Sequence, residues 1–397
     1  MKVLLAHPGT QHSYQLAKQL YENGVLGSFH TCFAFGEDSL FYNFIKAILP
    51  KKYHFKLNVR VVRGVPNSKI RIHLLPLLKY LFQNKNKNSE QLILNRNQKF
   101  QRLISNLDIK NVDIVIGFDT SSSILINKAH NLGKKFVLDV SIGHPLEKEK
   151  IYKEIRKKYP LWLDKIKAKK EEFISLEIEE MMHSDNIVVP SNFVKQTYIN
   201  NGIEENKIFV NPFGTNISDF SFEIKSPIKE VNFLFFGGLT ARKGLPVLLE
   251  AWDNEIFDNH KLTIAGFGEL PPNIVLPLNV MNLGKISKER RNELFKNADV
   301  FVFPSFFEGF AQVQIEAAVS GLPVIASNNS GCDVLIDSGI NGFIIEPENI
   351  DTLITSMKYF IENKKLIPQM SLKIMEKGKM FTWAEYGNRW VKILNSI

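Results

Sequence analysis

The chain has 397 residues, 44% of them apolar and 23% charged, as in an ordinary globular protein with two to three domains. No stretch approaches the roughly 20 consecutive apolar residues that cross a bilayer, and the opening MKVLLAHPG lacks the apolar length and the cleavage site of a signal peptide. Two distant cysteines, Cys32 and Cys332, exclude a disulfide framework and lack the spacing of metal ligands, so we expect a cytoplasmic protein.

The N-terminal stretch has the pattern of a strand, a tight turn and a helix. Lys2–Ala6 is a short apolar run, and His12–Asn23 carries apolar residues along one helical face. The connecting letters HPGT contain Gly9 and Thr10, and a glycine can adopt the positive φ that a tight turn needs. Such a turn lies at the carboxyl edge of a parallel sheet, where ligands bind, although a lone glycine also suits a plain turn.

A strongly basic stretch follows. Residues 46–102 contain fourteen Lys or Arg and one acidic residue, Glu90, so they carry +13 in a chain of net charge +9. Leu40–Leu49 and Leu74–Phe82 are helical segments rich in aromatic and leucine residues, with lysines beside them. This composition is typical of an interfacial membrane anchor, and we predict that residues 40–102 dock on an anionic membrane surface. The alternatives are burial inside the first domain, a bias in composition, a phosphorylated acceptor as the anionic partner, and nucleic-acid binding, for which no recognition motif is present.

A βαβ rhythm then indicates a parallel sheet. Val112–Ile116 and Phe136–Val140 are apolar strands separated by the helical run Ser121–Leu132. The letters SIGHP put His144 just past the second strand, where it could take a proton from a substrate hydroxyl because the pKa of histidine lies near working pH. A hydrogen-bonded structural histidine is the alternative. Glu147–Glu180, dense in Lys and Glu, predicts a solvated amphipathic helix without a chemical role.

The first domain is predicted to close with a strand, a helix and a second strand. Asn186–Pro190 and Ile208–Val210 are the strands, and the helix Asn192–Asn201 has Ser191 as its cap. The polar stretch 216–230 lacks a sustained period and contains a proline, so we predict a linker between domains there.

The second domain opens with the strand Val231–Phe236 and the letters GGLTARKGLPVLLEAW. This string begins with Gly237 and Gly238, which let the backbone pass closely under a ligand. Arg242 and Lys243 lie just before the helix Leu245–Trp252, and two cations at a strand end could hold a pyrophosphate and stabilise its charge as it leaves. An Arg–Lys pair on the surface is the alternative interpretation.

Two further strand ends carry glycines. Leu262–Ala265 ends in GFGE, where Gly266 and Gly268 would turn the chain toward a bound ligand. Val280–Leu283 is followed by a glycine and Lys285. A Gly-x-Gly pattern is weak evidence on its own.

The chain is organised around the stretch FVFPSFFEGFAQVQIEAAVSGLPVIAS. Val300–Phe303 and Val324–Ala326 have the pattern of buried parallel strands, with a helix at Ala311–Ser320 between them. The N-terminus of such a helix suits a phosphate. Glu308 in the loop and Glu316 on the helix would repel that anion, so they are expected to face hydroxyls, and a sugar nucleotide offers both groups. Solvated surface carboxylates are the alternative.

These strings closely resemble the signatures of retaining glycosyltransferases of family 4 (glycosyl transferases group 1). The resemblance implies the GT-B architecture: two Rossmann-like, doubly wound parallel-sheet domains that face a cleft. Phe381–Leu394, a predicted helix with one apolar face, would then cross back onto the first domain. The resemblance covers nearly the whole second domain, whereas the first domain matches mainly in its strand rhythm. One departure is Ala311, where the family usually has glycine; the extra methyl could narrow the approach of the backbone to phosphate.

The resemblance also implies a role for each matching residue. Glu308 would contact the donor sugar and Glu316 the ribose of the nucleotide. Arg242 and Lys243 would bind the phosphates of the donor, and His144 would line the cleft near the reacting carbon, as a base or a positioning residue. The remaining substrate-binding positions would be Gly9, Thr10, Gly238, Gly266, Gly268, Lys285, Ser305, Phe310, Ala311, Gln312 and Val313.

The function implied is the retaining transfer of a hexose-type sugar from a nucleoside-diphosphate sugar to a hydroxyl of a saccharide or lipid-linked acceptor, in bacterial cell-surface polysaccharide or glycolipid synthesis. We expect no metal and no cofactor, because Arg242 and Lys243 would take the role of the cation. Residues 1–215, with a returning helix at 380–397, would bind the acceptor, and 216–379 the donor. A sugar-nucleotide epimerase of GT-B fold and a basic nucleic-acid-binding protein are the alternatives.

Overall fold

The computed structural model describes residues 1–83, 90–165, 168–222 and 229–397. In these residues two parallel β-sheets alternate with helices along the chain, because buried apolar strands are followed by amphipathic helices that cover the sheet faces. The predicted α/β class with two doubly wound sheets is confirmed.

The first sheet has seven parallel strands in the order β5-β2-β1-β6-β7-β8-β9. Its order reverses between β1 and β6, which places a ligand crevice at the carboxyl ends of those two strands. A separate pair, β3 and β4, lies beside it. The strands of this half are β1 Val3–Ala6, β2 Leu26–Thr31, β3 Phe35–Gly36, β4 Val61–Val62, β5 Ile70–Ile72, β6 Ile114–Phe118, β7 Lys135–Asp139, β8 Asn186–Val189 and β9 Ile208–Val210.

The second sheet has six parallel strands in the order β12-β11-β10-β13-β14-β15 and reverses between β10 and β13. Its strands are paired in register, for example Phe301 with Val324 and Phe303 with Ala326. They are β10 Asn232–Phe236, β11 Lys261–Ala265, β12 Val280–Asn282, β13 Val300–Phe303, β14 Val324–Ser327 and β15 Gly342–Ile345.

Sixteen α-helices occur in the described residues, and most of them pack apolar residues into the core. In the first half they are α1 Ser13–Glu22, α2 Leu40–Ile48, α3 His54–Asn58, α4 Leu74–Gln83, α5 Glu90–Leu103, α6 Asn106–Lys110, α7 Ser123–His130, α8 Pro145–Lys158, α9 Glu171–His183 and α10 Asn192–Ile199. In the second half they are α11 Leu245–Trp252, α12 Lys288–Asn297, α13 Gln312–Val319, α14 Ile350–Glu362, α15 Ile367–Gly378 and α16 Trp383–Ser396.

The last helix, α16, crosses back onto the first domain. Its Tyr386 and Trp390 are buried, and Gly387 packs so closely on α1 that an added Cβ would lie 2.6 Å from the Cβ of Gln19. Arg389 donates to the side-chain oxygen of Asn211 at 2.8 Å and to the carbonyl of Pro212 at 2.6 Å. The predicted crossing of the C-terminal helix is therefore confirmed.

The segment that joins the two sheets begins against the second domain. Asp219 accepts a bond from the side chain of Asn292 and forms an ion pair of 2.8 Å with Lys288, both of which belong to α12. Of the predicted linker 216–230, residues 223–228 lie outside the described part of the chain, and the proposed domain boundaries stay a prediction.

The two apolar helical segments of the basic stretch are helices, as predicted, and they expose much of their apolar surface. Helix α2 has no buried residue, and Leu40, Phe41, Phe44 and Ile48 are each at least 62% exposed. In α4, Leu75 and Phe82 are 71% and 76% exposed. Within the described ranges, no helix is both long and apolar enough to cross a bilayer.

Candidate functional site

Glu308 lies at the centre of a charged cluster at the carboxyl edge of the second sheet. It belongs to the loop that joins β13 to α13, and it is only 8% exposed. Its Oε1 atom contacts Nη1 of Arg242 and lies 2.6 Å from Nζ of Lys243. The hydroxyl oxygen of Ser305 lies 3.0 Å from the same carboxylate oxygen. The structure thus brings these four predicted site residues together, and their roles toward a substrate stay a prediction.

A short helical turn at Ala241–Lys243 presents the two cations. Arg242 also donates to the carbonyl of Phe307 at 2.8 Å, which ties its guanidinium to the Glu308 loop. Gly244 ends the turn at φ +75°, and a Cβ there would lie 1.8 Å from the carbonyl oxygen of Pro304. Only glycine fits, so this position fixes the distance between the turn and the loop.

Burial and charge act in opposite directions on these groups. Burial raises the pKa of Glu308, but Lys243 and Arg242 lower it by more, with help from Ser305, so its pKa stays below the usual value. Burial lowers the pKa of Lys243, and the carboxylate of Glu308 opposes that change. The cluster therefore keeps an ionised carboxylate between two cations and has an excess of positive charge.

Glycines pack the neighbouring strand ends closely together. Gly266 follows β11 at φ +145°, and a Cβ there would lie 1.7 Å from the carbonyl oxygen of Gly237. Gly238 has more open surroundings, since a Cβ at that position would lie 3.9 Å from the nearest heavy atoms, and Gly268 follows at φ +112°. Lys285, beyond β12, is exposed and lies 5.8 Å from the ring centre of Phe267. These residues lie at one edge of the second sheet, and their contact with a substrate stays a prediction.

Helix α13 begins directly after the Glu308 loop and points its N-terminus at the same edge. No side chain caps it, because its N-cap is Ala311. The φ of Ala311 is −78°, which alanine adopts without strain, and the residue is 6% exposed within the core. Alanine therefore fits this backbone, and the effect of its methyl group on the approach of a phosphate stays a prediction.

The neighbours of Ala311 contact the first half of the chain and the returning C-terminal segment. Phe310 packs on Phe213 and Phe381, with ring centres 6.3 and 6.1 Å away. The side chain of Gln312 donates to the carbonyl of Gly214 at 3.0 Å, and Val313 packs against the core. The side chains of Phe310 and Gln312 thus hold the crossing segments in place, while their backbone stays at the helix N-terminus.

Glu316 lies on α13, apart from the Glu308 cluster, and has a partner of its own. Both of its oxygens lie 3.1 Å from Nη1 of Arg291 on α12. Burial raises the pKa of Glu316, and Arg291 opposes the rise. The predicted contact with a ribose stays a prediction; a carboxylate has lone pairs enough to accept a hydroxyl beside this pair.

His144 lies in the first domain at the N-terminus of α8 and is 2% exposed. Its backbone N–H donates to Thr197, its ring packs edge-on against Tyr198 at 5.6 Å, and its Nδ1 is buried without a hydrogen-bond partner among the described atoms. Burial lowers the pKa of His144 to about 4, so the imidazole is neutral near pH 7. A neutral imidazole can accept a proton or a hydrogen bond, and its catalytic role stays a prediction.

Gly9 and Thr10 form the turn between β1 and α1, as expected. The N–H of Gly9 donates to Nδ1 of His7 at 3.0 Å, and the carbonyl of Thr10 accepts from Ser13 at 2.5 Å. Burial lowers the pKa of His7 to about 4. The turn is thus held by local hydrogen bonds.

The two domains meet at the Glu308 loop. The carbonyl of Gly309 accepts from the hydroxyl of Ser191 at 2.6 Å, and a Cβ on Gly309 would lie 1.8 Å from the carbonyl of Ser141. Phe307 packs on Phe193 and Tyr152 of the first domain. The acceptor side and the donor side proposed from the sequence are therefore in direct contact.

Three residues of the first domain near this junction were not predicted. Lys148 and Tyr152 on α8 both interact electrostatically with Arg242 across the interface. Asp119 directly follows β6, and burial, followed by the nearby Glu177, raises its pKa to about 7. The position of Asp119 just past an apolar strand was a usable signal, whereas nothing in the Lys- and Glu-rich run distinguished the residues of α8.

The residues described here include no group of three or more His, Cys, Asp or Glu side chains that could hold a metal ion. Cys32 and Cys332 are free and buried.

Comparison with known proteins finds sequence similarity in the second half of the chain. Residues 216–379 match the family model of glycosyl transferases group 1. An uncharacterized glycosyltransferase of Methanocaldococcus jannaschii is 32% identical over 173 residues, which are 41% of this chain and 44% of the relative. The Escherichia coli UDP-Gal:alpha-D-GlcNAc-diphosphoundecaprenol alpha-1,3-galactosyltransferase is 31% identical over 193 residues, 44% of this chain and 49% of the relative. These matches span about half the length of each curated relative.

The whole chain resembles solved structures in fold. The crystal structure of HepE from Anabaena in complex with UDP-glucose aligns with 100% of both chains at a TM-score of 0.63 and 13% sequence identity. At this identity the likeness establishes the fold alone, and that fold is GT-B. Residues 216–379 therefore match the glycosyl transferases group 1 family, within a chain of GT-B architecture.

Proposed function

We propose that this protein is a glycosyltransferase that moves a hexose-type sugar from a nucleoside-diphosphate sugar to a hydroxyl of a saccharide or lipid-linked acceptor. The observation that carries the proposal is the convergence of Arg242 and Lys243 on Glu308, at a sheet edge beside an uncapped helix N-terminus. Cations and free N–H groups suit a diphosphate, and an ionised carboxylate suits the hydroxyls of a sugar. A nucleoside-diphosphate sugar carries both groups in one molecule.

Each charged residue has a separate task in this proposal. Arg242 and Lys243 stabilise the negative charge that grows on the diphosphate as the bond to the sugar breaks. Glu308 stays ionised and accepts hydrogen bonds from the donor sugar, and Glu316 accepts one from the ribose. The first-turn N–H groups of α13 add a fixed positive dipole beside the phosphates.

Retention of configuration and independence from metal are further parts of the proposal. The departing phosphate oxygen takes the proton of the acceptor hydroxyl on the same face of the sugar. His144, whose imidazole is neutral and buried, positions the acceptor or donor sugar at the cleft. Because Arg242 and Lys243 supply two positive charges, we propose that no divalent cation and no other cofactor is needed.

Two of the compared proteins guide the choice of substrates. The E. coli relative is named for UDP-galactose and a diphosphoundecaprenol-linked acceptor, and the HepE structure contains UDP-glucose. We therefore propose a UDP-hexose as the donor to test first, and a pathway that builds a cell-surface polysaccharide or glycolipid in a bacterium.

We also propose that the protein works in the cytoplasm, docked at the inner face of the membrane through residues 40–102. Exposed Leu and Phe side chains on α2 and α4 lie in a stretch of charge +13, which suits a surface of anionic lipid. We expect the parent protein to sediment with vesicles of phosphatidylglycerol and phosphatidylcholine, and we expect salt to reduce this binding. The double variant Phe41→Ser/Phe44→Ser should lose it. The buried-residue control Leu4→Ala should keep binding if it folds, and absence of binding by the parent protein would overturn this part.

The donor proposal is tested by thermal shift against UDP-, GDP- and ADP-sugars, since a ligand that binds the native state raises its melting temperature. A shift with one nucleotide that disappears in Arg242→Ala supports the donor site. Incubation with that donor then separates the activities, because an epimerase would convert it without any acceptor. Binding of oligonucleotides together with indifference to every sugar nucleotide would refute the proposal.

A further inference from the structure

A cavity with a volume of about 540 Å³ lies in the first domain, between α1 and α3. None of the residues that line it contacts Glu308. On one side it is lined by Tyr14, Gln15 and Lys18, from the first two turns of α1. On the other side lie Phe55 and Asn58 of α3 and the following Arg63, and the remaining lining residues are Val59, Val61 and Asn216.

The charges of this cavity are of one sign. Lys18 and Arg63 line it, and no carboxylate of the described residues does. Arg60 lies close to the hydroxyl of Tyr14. Burial raises the pKa of Tyr14 to about 12, although the guanidinium of Arg60 acts to lower it. The carboxylate of Glu22 lies 3.6 Å from Nζ of Lys18, half exposed and outside the lining. A concave site with an ammonium and a guanidinium and no acid in its wall fits a phosphate group.

The mouth of the cavity continues into the exposed apolar surface. Phe55 and Val59 at its rim are 76% and 49% exposed. Asn58 accepts a hydrogen bond of 2.6 Å from the hydroxyl of Tyr42, which joins this wall to α2. On α2 the exposed Phe41 and Phe44 extend the apolar area. A ligand that filled the cavity with an anion could therefore lay an apolar chain along α3 and α2.

The position of the cavity relates it to the cleft. Tyr14 and Gln15 follow the turn of Gly9 and Thr10, which lies at the carboxyl edge of β1 beside the crevice of the first sheet. A head group held by α1 would thus place whatever is attached to it near the side of the cleft that faces the donor domain.

We propose that this cavity binds the phosphate or diphosphate head of an amphiphilic acceptor, with the apolar chain of the acceptor lying on α3 and α2. The inference rests on the proposed function, in which the acceptor is lipid-linked. It adds the subsite, made by Lys18, Arg63 and Phe55, that would recognise such a molecule.

The test is calorimetric titration of the full chain with farnesyl diphosphate and, separately, with inorganic diphosphate. Lys18→Ala/Arg63→Ala removes two charges from the cavity, and Lys51→Ala/Lys52→Ala removes two exposed charges from the same basic surface outside it. We expect the first double variant to weaken the binding of farnesyl diphosphate at least about tenfold. The second double variant should change that affinity less than about threefold. Phe55→Ser should weaken the binding of farnesyl diphosphate and leave the binding of inorganic diphosphate unchanged.

Each other outcome overturns a defined part of the proposal. Equal losses in both charge pairs would show general attraction to a basic surface and refute the cavity. If inorganic diphosphate binds as tightly as farnesyl diphosphate and Phe55→Ser has no effect, the proposal that the ligand is a lipid is refuted. Thermal shift with UDP in the same variants keeps the two proposals apart, because it reports the donor site whether or not the cavity binds.

Discussion

Replacing Lys243 with alanine removes one of the two cations that contact Oε1 of Glu308. The ammonium nitrogen lies 2.6 Å from that oxygen, and Arg242 and Ser305 hold the same carboxylate from other directions. The variant therefore keeps the carboxylate paired while it loses one positive charge next to the proposed diphosphate. Transfer activity and stability should respond differently to this change.

The expected loss of activity follows from Coulomb's law. If half a unit of additional negative charge develops about 3 Å from Nζ as the diphosphate departs, an effective dielectric constant of about 20 gives roughly 2.8 kcal/mol. That energy corresponds to about a hundredfold in kcat. Stability should fall by only about 1–2 kcal/mol, because the cost of burying the ammonium disappears together with its attraction to Glu308.

The assay is the initial rate of sugar transfer at saturating donor and acceptor, with unfolding by urea measured alongside. Lys261→Ala is the matched control, since Lys261 forms an exposed 2.8 Å pair with Glu230 in the same domain. It should change kcat less than about twofold, as surface pairs contribute little. Transfer by Lys243→Ala within about threefold of the parent rate would refute the assignment of Lys243 to the diphosphate.

Three further predictions concern the nucleotide, the buried imidazole and the metal. Glu316→Gln should weaken binding of the donor nucleotide about tenfold by calorimetry with a smaller effect on kcat, and unchanged affinity would contradict the ribose contact. His144 has a pKa of about 4 in the fold against 6.5 in the unfolded chain, so below pH 6.5 the unfolded chain alone takes up the proton. Urea unfolding measures the free energy of unfolding of the parent and of His144→Gln. The difference between the two should shrink by about 1.4 kcal/mol per pH unit as the pH falls from 6.5 toward 4. A difference that does not change with pH would contradict this prediction. Transfer should keep its rate in excess EDTA, and loss of activity that Mg²⁺ restores would overturn metal independence.

The strands that the sequence predicted best are those buried on both faces. Val300–Phe303, in which every residue is buried, has the predicted bounds because a parallel strand covered by helices on both sides is a continuous apolar run. Strand β2, Leu26–Thr31, was missed although it is an interior strand of the sheet, between β5 and β1. Its His30 is fully buried and hydrogen-bonded to Ser28 and His73, 43 residues further on, and such a partner is not visible in a local pattern.

The site shows the same division between local and distant information. The residues at the strand ends were predicted, because a glycine or a charge that follows an apolar run is a local signal. The contact of Arg242 with Glu308 joins residues 66 apart in the chain, and no spacing predicts which carboxylate two cations share. The same holds for the pair of Arg291 with Glu316. Family resemblance supplied the residues, and only the fold supplied their partners.

The arrangement around Glu308 has a consequence for how a donor would enter. Two cations side by side in a buried place repel each other and lose hydration, so neither would keep its position without an anion. Glu308 is that anion, and the contacts of Arg242 with the carbonyl of Phe307 and of Lys243 with Oε1 fix both cations before any ligand arrives. An entering diphosphate can then take over the cations with little movement, since their side chains are already ordered. Once they turn toward the phosphates, the carboxylate of Glu308 becomes available to the hydroxyls of the sugar. Under the proposed function, one glutamate would therefore prepare the phosphate site before binding and contact the sugar after it.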